Sequence, residues 1–294
     1  MKKFWGTGVA LVTPFNKDFS VDYNALKKIV NYVLENGVNY LVALGTTSEA
    51  PTLNDDEKEK VVKTIIEAAA GRCPIVLGMG GNNTQVLVEQ IKNQNFEQID
   101  AILSVTPYYN KPQQNGLIAH FRAVADASPV PVILYNVPGR TGVNLSAQSC
   151  LKLAEHPNII AVKEASGNLQ QCMEILRDKP ENFDVISGDD ALTLPFMALG
   201  AKGVISVAAN LYPNRYSTMV SSQLNNEYDK ALKLHYKMLE MNNLIFIDGS
   251  PSCVKELLYH IGLCRELVRL PLVSVSNNAR QLLLDEWNTN FSRK

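Results

Sequence analysis

Eight short apolar runs rich in β-branched residues punctuate the chain, and the segments between them carry apolar residues at a spacing of three or four. GVALVTP begins at Gly8, YLVALG at Tyr40, PIVLGMG at Pro74 and AILSVTP at Ala101. PVILYNVP begins at Pro131, IIAVKE at Ile159, DVISGDD at Asp184 and GVISVAAN at Gly203. Successive starts lie about 28 residues apart on average, the length of one strand and one helix. The first intervening segment puts Leu26, Ile29, Val30, Val33 and Leu34 on one face after Asp22 and stops at Gly37. The second opens with Asn54 and Glu57 at capping-box spacing and runs through Val61, Val62, Ile65, Ile66 and Ala69 to Gly71.

Near-continuous apolar strands alternating with amphipathic helices predict parallel strands covered on both faces. Eight such units predict an α/β fold, a closed (β/α)8 barrel of the TIM type, over residues 1–224. From about residue 225 the strand pattern ends. Three helical stretches are expected there, near 226–246, 251–262 and 277–292, as a C-terminal appendage over 225–294.

Composition narrows the function classes. With a formal net charge of −1 and no long basic block, the chain lacks the electrostatic footprint of a nucleic-acid or anionic-membrane binder. No apolar run reaches the length needed to span a bilayer. The opening MKKFWGTGVALVTPF is broken by Gly6 and Gly8 and closed by Pro14, so it reads as a first strand of a cytoplasmic protein and not as a secretory signal. Five cysteines without a CxxC fit reduced thiols, and four scattered histidines build no metal-ligand spacing. GMGGNNT has Asn83 where a dinucleotide fingerprint needs its third glycine, so its glycines are expected to serve a tight strand-to-helix turn.

In such a barrel the chemistry belongs at the C-terminal strand ends. The second run ends in GTTSEA, with Thr46, Thr47 and Glu49; the fourth in TPYYNKP, with Tyr108 and Tyr109. The fifth carries YNVPGRTG, with Tyr135 and Arg140, and the sixth ends at Lys163. The eighth carries Ile205 and Ser206. Taken singly, each has an ordinary structural use: the threonines and Asp189 and Asp190 as helix caps, the tyrosines as interface aromatics, Arg140 as a surface charge. Together they gather a lysine, hydroxyls, phenols and a guanidinium, with no histidine or cysteine. That set suits amine chemistry on a keto acid. A lysine is an ammonium at neutral pH and no nucleophile, but burial is a known route to the free amine. Such an amine forms an imine with a ketone and acidifies the neighbouring carbon.

TPYYNKP, YNVPGRTG and VKEASGN, in this order and spacing, resemble the dihydrodipicolinate synthase family of the N-acetylneuraminate lyase superfamily of class I aldolases. The resemblance covers essentially the whole chain. It implies that Lys163 forms a Schiff base with pyruvate and that Tyr135 donates and accepts protons, linked through Thr47 to Tyr109. It also implies that Thr46 and Thr47 hold the pyruvate carboxylate, that the main chain at Ile205 completes the pocket, and that Arg140 takes the carboxylate of L-aspartate 4-semialdehyde. The product would be 4-hydroxy-tetrahydrodipicolinate, in lysine and diaminopimelate biosynthesis. No metal or organic cofactor is implied. Tyr109 would cross a tight dimer interface, two dimers making a homotetramer. Two alternatives stand beside this: a pyruvate-dependent lyase acting on a sugar-derived keto acid such as N-acetylneuraminate, and a non-catalytic barrel. One departure is local: the family usually has glycine where this chain has Ser48.

Overall fold

A computed structural model describes residues 2–291. Strands and helices alternate as β1 (Gly6–Ala10), α1 (Tyr23–Glu35), β2 (Tyr40–Ala43), α2 (Asp55–Ala69), β3 (Ile75–Gly78) and α3 (Thr84–Asn93). Next come β4 (Ala101–Val105), α4 (Gln114–Ala127), β5 (Val132–Asn136), α5 (Pro138–Thr141), α6 (Ala147–Ala154) and β6 (Ile159–Glu164). Then follow α7 (Leu169–Asp178), β7 (Asp184–Ser187), α8 (Thr193–Ala198) and β8 (Gly203–Ser206). Four helices complete the chain: α9 (Pro213–Leu224), α10 (Tyr228–Leu244), α11 (Ser252–His260) and α12 (Asn277–Asn290). The strand order is β1 through β8 in a closed barrel, the (β/α)8 fold expected from the periodicity. The last three helices are those expected after residue 225.

The chain divides into two compact units. The first comprises residues 1–6 and 74–205. Within it β3 to β8 pair in parallel, with Tyr135 opposite Lys163 and Lys163 opposite Ile186. Gly203 has φ +149° and lies so close to Gly6 that a Cβ would overlap its carbonyl, so only glycine fits. Asn83 caps α3, as the strand-to-helix turn requires, and Gly80 lies where a Cβ would meet Val105 at 2.6 Å.

The second unit comprises residues 7–73 and 206–294. In it Gly8 faces Tyr40 across β1 and β2, and the buried Tyr40 ring fills the space a side chain at Gly8 would need. The α1 face is as expected, capped by Asp22 accepting from the Ala25 amide at 2.9 Å. The Asn54–Glu57 capping box on α2 forms in both directions. Here α10 packs against α9 and α12, and α11 against α12. Every α11 residue from Ser252 to Leu258 is buried, an all-round burial that makes its polar residues Lys255 and Glu256 depend on partners. No described helix is long and apolar enough to cross a membrane.

Candidate active site

Lys163 lies one residue from the end of β6 and is only 4% exposed. Its Nζ sits 4.2 Å from the ring centroid of Tyr135, which occupies the matching position on β5. None of the ion pairs among the described residues involves Lys163. Gly188, just beyond β7, makes room for this side chain: a Cβ there would come 2.9 Å from Lys163 Cε and 2.7 Å from the Ala165 Cβ.

Strand alternation turns the next residue of each strand to the opposite face. Asn136 and Glu164, also a matched pair, are both fully buried there. The Glu164 carboxylate accepts from Asn136 Nδ2 at 3.0 Å, Gln171 Nε2 at 3.0 Å and the Ser166 amide at 2.7 Å. Asn136 Oδ1 in turn accepts from the Leu145 amide at 2.9 Å. The neighbouring carboxylate is therefore occupied by donors on the side away from Lys163. This network braces the strand pair that carries Lys163 and Tyr135. The sequence offered a signal for it, since Asn136 and Glu164 each follow a site candidate inside an apolar strand and need buried partners. Gly188 offered none, because its use depends on what faces it. Burial first, and the Glu164 charge second, push the Cys172 thiol up to about 12 and raise that of Cys150 as well. Neither is a thiolate at neutral pH.

The remaining candidates of the first unit are near strand ends but not hydrogen-bonded to this pair. Ile205 is fully buried in β8. Arg140 lies in the short helix α5, exposed, and its guanidinium makes no ion pair among the described residues. Tyr109 is 88% exposed with φ +74°, and Tyr108 is 42% exposed. The TPYYNKP loop is fixed by Thr106, whose hydroxyl donates to Thr141 Oγ1 at 3.2 Å, and by Asn110, whose side chain donates to the Asn82 carbonyl at 3.0 Å. Asp189 accepts from the Leu192 amide at 3.1 Å, one residue ahead of α8, which starts without a side-chain cap; Asp189 orders the turn before the helix and does not cap it as expected.

In the second unit, Thr46 and Thr47 form a 3-10 turn with Ser48 directly after β2, Thr46 exposed and Thr47 buried. Ser48 adapts to the turn. Its hydroxyl donates to the Gly45 carbonyl at 2.7 Å, and the left-handed conformation falls on Glu49, φ 57°, ψ 34°. Glycine is not required at position 48.

Comparison with known proteins is consistent along the chain. A model of the "Dihydrodipicolinate synthetase family" matches residues 3–287. The 4-hydroxy-tetrahydrodipicolinate synthase of Flavobacterium psychrophilum is 54% identical over 279 residues, 95% of each chain. That of Parabacteroides distasonis is 52% identical over 269 residues, 91% of each. The chloride-inhibited dihydrodipicolinate synthase of Acinetobacter baumannii, solved in complex with pyruvate, superposes with a TM-score of 0.94 at 40% identity, covering 97% of this chain and 98% of that one.

Proposed function

The chain belongs to the dihydrodipicolinate synthetase family, and from that we propose how it condenses pyruvate with L-aspartate 4-semialdehyde to 4-hydroxy-tetrahydrodipicolinate, as a lyase of the class I aldolase type in lysine biosynthesis. The observation that carries the residue assignment is Lys163 itself, buried, in no ion pair among the described residues, its Nζ 4.2 Å from the Tyr135 ring centroid. The Lys163 amine adds to C2 of pyruvate and expels water, leaving an iminium. Loss of a C3 proton gives the enamine, and the iminium nitrogen takes up the electron pair. C3 then attacks the aldehyde carbon, whose oxygen gains a proton and becomes the 4-hydroxyl. Finally the substrate's own amine attacks C2, closes the ring and releases Lys163. Tyr135 moves the protons, with Thr47 and Tyr109 as its relay. Thr46 and Thr47 hold the pyruvate carboxylate through hydroxyls and turn amides, and the Ile205 main chain completes that pocket. Arg140 takes the carboxylate of the second substrate, supported by its free guanidinium and the bidentate fit of that group. The covalent imine does the work that a metal or organic cofactor would otherwise do. We assign the enzyme to the cytoplasm, in keeping with five free cysteines, and to a homotetramer built as a dimer of dimers, in keeping with the exposed Tyr109.

A coupled assay with pyruvate and L-aspartate 4-semialdehyde, set against N-acetylmannosamine as the aldehyde partner, tests the substrate. Borohydride in the presence of pyruvate is expected to add a reduced pyruvyl mass to the Lys163 peptide, and Lys163→Ala to abolish it. Arg140→Ala is expected to keep the adduct and lose about thirtyfold or more in turnover with the semialdehyde. An adduct on another lysine, or turnover only with the sugar, would overturn the assignment.

A further inference from the structure

The second unit holds a buried charge cluster outside the groups assigned to the reaction. Lys255, on α11, is fully buried, and its Nζ lies 2.5 Å from Glu49 Oε1, with both side chains at 0% exposure. Lys255 Nζ also donates to the Leu267 carbonyl at 2.8 Å and sits 4.1 Å from the Phe15 ring centroid. The other carboxylate oxygen, Glu49 Oε2, accepts from the Arg269 amide at 2.9 Å. The Arg269 guanidinium lies over the same Phe15 ring at 4.5 Å and forks onto Glu57 at 2.6 and 2.7 Å.

Glu49 is the residue on which the Thr46–Ser48 turn ends. Its amide donates to the Thr46 carbonyl at 3.2 Å, and its own carbonyl accepts from the Thr52 amide at 2.8 Å. Its left-handed backbone is one that non-glycine residues adopt only when their surroundings hold them there. The surroundings here are the C-terminal helices. Removing one member of a buried ion pair strands the other charge, so the backbone carrying it has to move toward water.

We propose that Lys255 is a positioning residue for the reaction: through Glu49 it holds the Thr46–Thr47 turn in the conformation that receives the pyruvate carboxylate. The inference rests on the reading of Thr46 and Thr47 as the carboxylate site. It gives the C-terminal helical region a task in substrate binding beyond packing. Burial lowers the Lys255 pKa, and the Glu49 carboxylate beside it opposes that shift.

The test uses the full-length enzyme and three variants. Lys255→Met is expected to raise the pyruvate KM at least tenfold while the KM for L-aspartate 4-semialdehyde stays within twofold. Deuterium exchange of the peptide spanning residues 44–53 is expected to quicken at least tenfold. Adding Glu49→Gln to Lys255→Met removes the stranded carboxylate and is expected to recover part of both losses. Glu256→Gln, next to Lys255 on α11, breaks the 2.8 Å pair with Arg280 on α12 and is expected to change neither readout, whatever it does to the unfolding temperature. If Lys255→Met does not fold, the double variant carries the same comparison against wild type, with both readouts expected between the wild-type values and the tenfold changes. A folded variant with wild-type exchange and wild-type pyruvate KM overturns the proposal. The exchange measurement needs no substrate, so it judges the clamp even if wild type traps no pyruvate on Lys163. That last result would instead overturn the proposed function.

Discussion

The Lys163 side chain illustrates how little space separates a usable nucleophile from a blocked one. Its Cε and Cγ would lie 2.9 and 3.0 Å from a Cβ at Gly188, and both distances are below ordinary contact. Gly188 has no left-handed backbone, so the demand is purely steric. Gly188→Ala is therefore expected to fold with a loss of about 1–3 kcal/mol, the usual cost of overfilling a packed site. It is also expected to slow single-turnover adduct formation with pyruvate at least tenfold, because the amine is pushed off its path. Rapid-quench borohydride trapping checks this. A wild-type trapping rate would mean that the lysine relaxes around the extra methyl. The Ser48 substitution is the contrasting case at the same scale, since its hydroxyl makes a turn bond that glycine cannot.

At the scale of elements, the pairing of β5 with β6 puts two chemically different pairs on opposite faces, Tyr135 with Lys163 and Asn136 with Glu164. Helix pairing shows a pH-sensitive seam elsewhere. His120 on α4 is 4% exposed, its Nδ1 2.9 Å from the Thr84 hydroxyl on α3 and its Nε2 buried without a partner. Burial pushes its pKa down to about 4, from the usual 6.5. The folded state thus resists a proton that the unfolded chain accepts. Its contribution to stability is fully present above pH 6.5 and is lost as pH falls from 6.5 toward 4. Between pH 7 and pH 5 the loss amounts to about 2 kcal/mol. Urea unfolding at the two pH values should show it, and His120→Asn should flatten the difference. An equal pH dependence in the variant would assign the acid sensitivity to other groups, such as His235, which burial also lowers.

For the whole molecule, the outstanding feature of the single chain is Tyr109, 88% exposed on a loop fixed by one buried and one exposed hydrogen bond. In the proposed relay and dimer, a second copy of the chain would cover this phenol. Mixing inactive Tyr109→Phe with inactive Lys163→Ala under conditions that exchange subunits is expected to restore activity, because a hybrid dimer holds one intact site. The theoretical ceiling is about a quarter of wild type when half the subunits are of each kind, by random pairing. No recovery after proven exchange would place Tyr109 at work within its own chain.

Local repetition made the fold legible. The near-continuous apolar strands, the helices of period 3.6 and their caps at Asp22 and Asn54 are written in neighbouring residues, so spacing alone predicted a barrel followed by three helices. The strand-end rule marks Lys163, Tyr135, Thr46, Thr47, Tyr109 and Arg140 as candidates from the sequence itself. What the sequence did not decide is which groups face each other. Gly188 matters only because β6 brings Lys163 against it. Glu164 gains Gln171 as one of its donors because α7 returns that residue to it. Glu49 and Lys255 are 206 residues apart, and nothing in either local pattern marks them as partners. Such pairings depend on the register of strands and the packing of distant helices. Tertiary structure alone determines them, because desolvation and ion pairing act through space and not along the chain.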